Sequence, residues 1–206
     1  MTWVKVCGLT APGLVDVALD AGADAVGVVL AEGSPRRVDR RTAAALVERA
    51  AGRAILVATE ADERLVDDAV TWGALGIQPH GTGGRDLAVA GASAGLFVLA
   101  PFAVGPRTDT ASVARDVGEL PEGVVPLFDA YDPVLAGGTG RLVDPGRLPR
   151  IPGRWVLAGG LDPRNVADRI RRLDPWGVDA SSGLESSPGV KDPDAIVRFV
   201  EEAKSA

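Results

Sequence analysis

The sequence predicts a single closed barrel of eight parallel β-strands alternating with helices, a (β/α)8 or TIM barrel, over residues 1–206. Short β-rich segments alternate eight times with segments of helical periodicity, and no linker separates two halves. The predicted strands are almost wholly apolar, which is typical of parallel strands covered by helices. A doubly wound open sheet is the alternative, but its Gly-x-Gly-x-x-Gly turn does not follow the first strand.

Each predicted strand is a short apolar segment bounded by glycine, proline or polar residues. The first contains Trp3 and ends at Cys7, because Gly8 and Thr10 interrupt the apolar run. In chain order the predicted strands are 3–7, 25–30, 54–58, 76–78, 96–99, 124–128, 155–158 and 177–179.

Helices are predicted between the strands from apolar residues spaced three or four positions apart. In the first helix Leu14 and Val17 follow this spacing, and Gly22 ends it. Asp162 and Asp192 each precede a proline, so each is a predicted N-cap with proline at the first helical position. The predicted helices are 12–21, 39–51, 62–72, 85–92, 109–118, 163–173 and 193–204, with at most one helical turn at 144–149.

Composition excludes several classes of protein. The chain has 28 acidic and 22 basic residues and a net charge of −6, which excludes binding of nucleic acid through an overall basic surface. Cys7 is the single cysteine and His80 the single histidine, so an internal disulfide, a thiolate zinc cluster or a multi-histidine metal site is excluded. We find no signal peptide and no apolar run that spans a membrane, and therefore expect a cytoplasmic protein without membrane contact, metal or cofactor.

Polar side chains are predicted at the carboxyl ends of the strands, which form the active-site face of such a barrel. Strand one ends at Cys7, strand two leads to Arg36, and strand four leads to His80. Strands six and eight end at Asp129 and Asp179. We therefore expect these five side chains around one mouth, and almost no ionisable groups elsewhere on the strands.

Two segments at the ends of strands seven and eight predict a phosphate site. Many barrels of this kind bind phosphate there through backbone N–H groups, which glycine exposes and serine hydroxyls supplement. We assign this role to Gly159, Gly160, Ser181 and Ser182. A third glycine-rich segment, 137–140, is placed to close over a substrate. Each of these residues has an ordinary structural explanation by itself, and their joint placement carries the prediction.

The chain resembles the phosphoribosylanthranilate isomerase family in segments that span nearly its whole length in order. The matching segments begin with Val4-Lys5-Val6-Cys7-Gly8-Leu9-Thr10 and continue with 22–27, 34–36, 78–81, 137–140, 158–166, 179–185, 188–189 and 191–192. The resemblance implies a (β/α)8 monomer or homodimer without a cofactor. It also implies an Amadori rearrangement of N-(5-phosphoribosyl)anthranilate to 1-(2-carboxyphenylamino)-1-deoxyribulose 5-phosphate.

The resemblance further implies a role for individual residues. Cys7 matches the family's general base, Asp129 its general acid, and Arg36 the residue that holds the anthranilate carboxylate. An acid at Asp129 needs a raised pKa, from burial or a nearby negative charge. A base at Cys7 needs a lowered thiol pKa, for which we expect the N–H-rich mouth and Arg36 to be responsible. His80 and Asp179 are assigned to substrate binding, His80 without a defined step.

Some positions depart from the family pattern and leave alternatives open. Pro79 stands where leucine is usual, and Val143-Asp144-Pro145 stands where Phe-Asp-Trp is common. One alternative is a paralogue that isomerises another phosphorylated aminosugar, and a second is a non-catalytic barrel that binds a phospho-ligand. A histidine-pathway or dual-substrate isomerase is disfavoured, since those relatives generally have aspartate at the end of strand one. A hydrolase that pairs Cys7 with His80 is disfavoured because strands one and four are far apart.

Overall fold

A closed parallel barrel forms the centre of the fold. The computed structural model describes residues 1–58, 62, 64–81, 83–130 and 144–206. The eight strands follow one another around the barrel in chain order, and the last pairs with the first. They are β1 Trp3–Cys7, β2 Ala25–Val29, β3 Ala54–Ala58, β4 Gly76–Pro79, β5 Phe97–Val104, β6 Val125–Ala130, β7 Val156–Leu157 and β8 Gly177–Ala180. The predicted fold class is confirmed.

Helices follow the strands and cover the barrel. They are α1 Pro12–Asp20, α2 Arg40–Arg49, α3 Leu65–Trp72, α4 Gly84–Ser93, α5 Thr110–Gly118, α6 Val166–Leu173 and α7 Pro193–Ser205, with 3₁₀ turns at Pro145–Arg147 and Ser182–Leu184. In the described part of the chain, no helix has both the length and the apolar character needed to cross a membrane. The glycine-rich segment 137–140 lies outside the described residues.

The two predicted N-caps behave differently. Asp192 caps α7 as predicted. Asp162 instead caps a turn, since its carboxylate accepts hydrogen bonds from the backbone N–H groups of Arg164 and Asn165. The helix α6 therefore begins at Val166, three residues later than the sequence predicts. A proline after an aspartate does not by itself distinguish a helix start from a capped turn.

The alternation of side chains along each strand separates an inner from an outer core. Alternate strand residues point into the barrel, where Ile55, Leu99, Leu127 and Val156 form a small apolar cluster. The remaining strand residues pack outward against the helices in a much larger cluster. Because both faces are buried, the strands lack the polar alternation of a half-exposed sheet.

Aromatic side chains close the amino-terminal end of the barrel. The rings of Trp3 and Trp176 stack with centroids 5.1 Å apart, and Phe97 lies 5.7 Å from Trp3. The Arg154 guanidinium lies 5.1 Å from the Trp176 ring centroid. The interior of the barrel is therefore covered by aromatic rings at its amino-terminal end.

Two elements differ from the sequence prediction. The strand β5 continues to Val104 through Pro101, where the sequence predicts an end at residue 99. Pro101 is tolerated because β5 pairs there with β6 alone, so the missing N–H leaves no ladder bond on the β4 side unmade. A hairpin of β9 Glu185–Ser187 and β10 Val190–Lys191 follows β8 and was not predicted.

We expect Asp192→Ala to lower the free energy of unfolding by about 1 kcal/mol. The Asp192 carboxylate accepts hydrogen bonds from the backbone N–H groups of Asp194 and Ala195, at 2.9 and 3.3 Å. Urea denaturation measures the loss. Glu201→Ala on the exposed face of the same helix is the control and is expected to change stability by less than about 0.5 kcal/mol. Equal losses in the two variants contradict the capping role.

Candidate active site

A buried ion pair lies inside the barrel beneath its mouth. The Lys5 side chain is 0% exposed, and its Nζ donates hydrogen bonds of 2.8 Å to Asp179 Oδ2 and to Gln78 Oε1. Lys5 is the one ionisable residue of the eight barrel strands besides those that the sequence places at the mouth, and the sequence argument did not single it out. Lys5 lies between Trp3 and Cys7 in β1, on the inward face that it shares with Cys7, and this alternation was the available signal.

The surroundings of Lys5 fix its charge. Burial by itself favours the neutral amine and lowers the pKa of Lys5, but the charges and hydrogen bonds of Asp179 and Cys7 together outweigh it, and the net pKa is raised. Lys5 is therefore an ammonium. The second oxygen of Asp179, Oδ1, is buried and accepts no hydrogen bond from the described residues. This oxygen therefore has the capacity to accept a further hydrogen bond.

The hydrogen bonds of Lys5 determine the tautomer of His80. An ammonium only donates, so the Gln78 atom that faces Lys5 is the amide oxygen. The Gln78 amide nitrogen then donates to His80 Nε2, 2.9 Å away. Burial, helped by the charge of Lys5, lowers the pKa of His80 to about 4, so the ring is neutral. A neutral ring that accepts at Nε2 carries its proton on Nδ1.

Asp129 has the environment of an acid. It lies near the end of β6, and burial raises the pKa of its carboxyl to about 6, with a second contribution from the negative charge of Asp179. This agrees with the expected raised pKa and with both of its expected causes. Gly159, whose φ is +82°, makes room for the carboxyl: a Cβ atom there would lie 2.8 Å from Asp129 Oδ1.

Cys7 is enclosed more tightly than the sequence suggests. It is 7% exposed and clusters with Val29, Ala31 and Val57. Gly27 on β2 leaves space for the thiol, since a Cβ atom there would lie 2.5 Å from Cys7 Sγ. Burial raises the pKa of this thiol, and the positive charges of neighbouring lysines only partly oppose it. The expected lowering is therefore not found, because desolvation outweighs the positive charges.

A second buried charge cluster lies beside Cys7. Arg36 donates from Nε and Nη2 to the two carboxylate oxygens of Glu185, at 2.6 and 3.0 Å. Lys191 donates to Glu185 Oε1 at 2.8 Å and to the Ser181 carbonyl at 2.8 Å. Burial opposes ionisation of Glu185, but hydrogen bonds from Arg36 and Lys191 outweigh it and lower its pKa. Within the described residues, Arg36 Nη1 makes no such bond and is the nitrogen available to a ligand carboxylate.

Glu185 and Lys191 are functional candidates that the sequence argument did not single out. Both belong to the unpredicted hairpin, and their side chains are 4% and 0% exposed. The turn of this hairpin packs against the loop that carries Arg36, because a Cβ atom on Gly189 would lie 2.5 Å from the Pro35 carbonyl oxygen. Both are charged residues in segments that resemble the family, and the sequence could have identified them on that basis.

The residues predicted to bind phosphate lie at the ends of β7 and β8, as expected from the sequence. Gly159 and Gly160 have positive φ values of +82° and +65°. Ser181 and Ser182 follow β8 at the start of a 3₁₀ turn. The two loops touch at Gly183, where any Cβ atom would clash with the Leu161 carbonyl oxygen, so they form one continuous surface. Phosphate binding there stays a prediction.

The mouth therefore brings together the side chains that the sequence placed there. Cys7 and Asp129 both experience the charges of Lys5 and Asp179. The Arg36 side chain lies over Gly8, next to Cys7. A hydrolase that pairs Cys7 with His80 is further disfavoured, because His80 Nε2 is bonded to Gln78.

Known proteins of one family match nearly the whole chain. A family model described as N-(5'-phosphoribosyl)anthranilate (PRA) isomerase matches residues 4–202. An N-(5'-phosphoribosyl)anthranilate isomerase from Thiobacillus denitrificans is 38% identical over 98% of each chain. The crystal structure of TrpF from Jonesia denitrificans is 35% identical, has a TM-score of 0.79, and covers 100% of this chain and 98% of that one.

A further solved structure carries a ligand. It is a phosphoribosyl anthranilate isomerase in complex with reduced 1-(o-carboxyphenylamino)-1-deoxyribulose 5-phosphate, 28% identical with a TM-score of 0.76 over the whole of both chains. The family resemblance read from the sequence is confirmed. Because the family model matches nearly the whole chain and full-length relatives exceed 30% identity, the chain belongs to the N-(5'-phosphoribosyl)anthranilate isomerase family.

Proposed function

We propose that Asp129 and Cys7 are the acid and the base with which this chain isomerises N-(5'-phosphoribosyl)anthranilate. The activity, an enzymatic step of tryptophan biosynthesis, follows from membership of the family. The residue roles are supported by one observation: a carboxyl with a pKa of about 6 and a thiol close to a buried ammonium share one barrel mouth.

The first step opens the ribose ring. Asp129 donates its proton to the ring oxygen while the C1–O bond breaks and the anilino nitrogen lone pair forms an iminium. A carboxylic acid with a pKa of about 6 is a better acid catalyst near neutral pH than one with an ordinary pKa, because more of it is protonated. The residue is left as a carboxylate, whose charge the nearby Lys5 ammonium partly offsets.

The second step removes the proton from C2. The iminium makes this proton acidic, and the Cys7 thiolate takes it to form an enolamine. The enolamine then tautomerises to the ketone of the product, 1-(2-carboxyphenylamino)-1-deoxyribulose 5-phosphate. The thiol and the acid come from β1 and β6, separate strands of the barrel, which allows them to act at different sides of the sugar.

The remaining site residues hold the substrate. The phosphate is assigned to the backbone N–H groups and hydroxyls of Gly159, Gly160, Ser181 and Ser182. Asp179 Oδ1 is assigned to a ribose hydroxyl, His80 to a substrate acceptor through its Nδ1–H, and Arg36 to the anthranilate carboxylate. A single domain, a monomeric or homodimeric state, a cytoplasmic location and the absence of a cofactor stay predictions.

Both alternatives read from the sequence are less well supported. A barrel that only binds a phospho-ligand needs neither a carboxyl with a raised pKa nor a thiol beside an ammonium. A paralogue with another aminosugar substrate would differ at the aromatic part of the ligand, where Pro79 and Pro145 depart from the family pattern. Assay with the purified substrate distinguishes these cases, and growth of a tryptophan auxotroph that lacks this isomerase tests the activity in cells.

We expect Cys7→Ala and Asp129→Asn each to lower kcat at least about 100-fold, the range of a lost general base or acid. Steady-state turnover of N-(5'-phosphoribosyl)anthranilate is the measurement. Asp20→Asn on the exposed end of α1 is the matched control and is expected to retain full activity. Near-normal turnover in either site variant would remove that residue from the mechanism.

We expect Arg36→Ala to raise KM more than it lowers kcat, because a carboxylate anchor contributes to binding in the ground state and the transition state alike. Arg37→Ala is the matched control, since the neighbouring Arg37 side chain is 51% exposed and contacts only Glu32 at 3.5 Å among the described residues. A variant of Arg36 that loses kcat at unchanged KM contradicts the anchoring role.

The raised pKa of Asp129 also predicts a stability that depends on pH. The carboxyl titrates near pH 6 in the folded chain and near its ordinary 3.8 when unfolded. Its protonated form therefore favours folding below about pH 4, and this contribution is lost as the pH rises through about 6. We expect Asp129→Asn to be more stable than the unmodified chain by about 2–3 kcal/mol at pH 7, with much of this advantage gone at pH 4. Urea denaturation at both pH values measures it, and an equal difference at both would contradict it.

A further inference from the structure

We propose that Lys5 is the positioning residue that stabilises the thiolate form of Cys7. The two residues are separated by one position on β1, so both side chains point into the barrel, one layer apart. The Lys5 side chain is wholly buried and remains an ammonium. The proposal deepens the proposed function, because it explains how a buried thiol can serve as the base.

Among the described residues, the hydrogen bonds of Lys5 leave one donor unassigned. An ammonium has three N–H groups and no acceptor. Gln78 Oε1 and Asp179 Oδ2 take two of them, each at 2.8 Å. When Cys7 ionises, its sulfur accepts a hydrogen bond from Lys5, and this bond and the Lys5 charge both lower the thiol pKa. A charged donor that is already held in place by two other bonds stabilises the thiolate with little loss of side-chain entropy.

Lys191, the other lysine that acts on Cys7, is arranged differently. Its Nζ contacts the Ser181 carbonyl at 2.8 Å, Ser181 Oγ at 3.3 Å and Glu185 Oε1 at 2.8 Å. All three donors of Lys191 therefore have partners. Its charge lowers the pKa of Cys7 as well, but no hydrogen bond to the sulfur adds to that effect. The two lysines thus form a natural pair of test and control.

The other strands and loops around Cys7 contribute few charges. On β8, Asp179 raises the pKa of Cys7, and it does so less than Lys5 lowers it. On β2 the neighbours are Gly27 and an aliphatic side chain, neither of which titrates. The Arg36 side chain lies over Gly8, and its guanidinium is paired with Glu185. Lys5 and Asp179 therefore act on the sulfur in opposite directions, and the effect of Lys5 is the larger of the two.

The test is a titration of the thiol by its ultraviolet thiolate absorbance as a function of pH. Cys7 is the only cysteine of the chain, so the signal has one source, and Cys7→Ser supplies the blank. Lys5→Met is combined with Asp179→Asn, because Asp179 is the main group that keeps the buried Lys5 charged and neither should be left without its partner. The double variant is expected to decrease the thiolate fraction at a given pH at least about tenfold relative to the unmodified chain, because Lys5 lowers the pKa of Cys7 more than Asp179 raises it.

Lys191→Met is the control and is expected to change the thiolate fraction less than about threefold. Circular dichroism establishes that each variant is folded. A double variant that titrates like the unmodified chain would overturn the proposal, as would a decrease in Lys191→Met as large as that in the double variant. If the double variant does not fold, Lys5→Gln decides alone, since its neutral amide can still donate to Asp179, and an unchanged thiolate fraction there contradicts the proposal.

The titration does not depend on turnover. If Cys7→Ala retains activity while Lys5 still controls the thiol, the base assignment under the proposed function fails and the present inference stands. If Cys7→Ala loses activity and the thiol titrates without regard to Lys5, the inference fails and the proposed function stands.

Discussion

The ammonium of Lys5 is the constraint on which the mouth of the barrel depends. A charge with a fully buried side chain costs several kcal/mol unless hydrogen bonds and an opposite charge replace water. Asp179 and Gln78 supply that replacement, each 2.8 Å away. Because Lys5 only donates, it orients the Gln78 amide, which in turn fixes the tautomer of His80. One buried cation on β1 thus organises side chains at the ends of two other strands, β4 and β8.

Packing restricts this polar arrangement to one end of the barrel. The stacked rings of Trp3 and Trp176 close the opposite end, and aliphatic side chains fill the interior between. At the mouth, glycine residues lie next to the reacting groups and leave space for them. Gly27 admits the thiol of Cys7 and Gly159 admits the carboxyl of Asp129, each at a position where a Cβ atom would collide with the neighbour. Glycine is thus required beside both residues that we place in proton transfer.

Sequence patterns predicted the fold and the placement of the site because both depend on local signals. Apolar segments of strand length predict a parallel barrel, and the residue that ends each segment then belongs to the mouth. Lys5 was missed because its partner Asp179 lies 174 positions away, so the local sequence does not show the charge that pairs with it. The raised pKa of Cys7 was missed because enclosure by other strands is a property of the closed barrel. Charge pairing and desolvation depend on tertiary contacts, and these are the parts that sequence reasoning did not reach.

The raised pKa values of Asp129 and Cys7 imply that a proton must move from the thiol to the carboxylate before the reaction. With Asp129 near pKa 6 and Cys7 raised above its ordinary value, neutral pH favours a carboxylate and a thiol, whereas the reaction needs an acid and a thiolate. This proton transfer leaves the net charge unchanged. Its equilibrium therefore depends on the difference between the effects of neighbouring charges on Cys7 and on Asp129. The positive charge of Lys5 is a leading influence on Cys7 and the weakest one on Asp129, while Asp179 is second only to burial at Asp129. The buried ion pair therefore favours a thiolate at one strand end and a protonated carboxyl at the other, the pairing that proton transfer to the ring oxygen and from C2 requires.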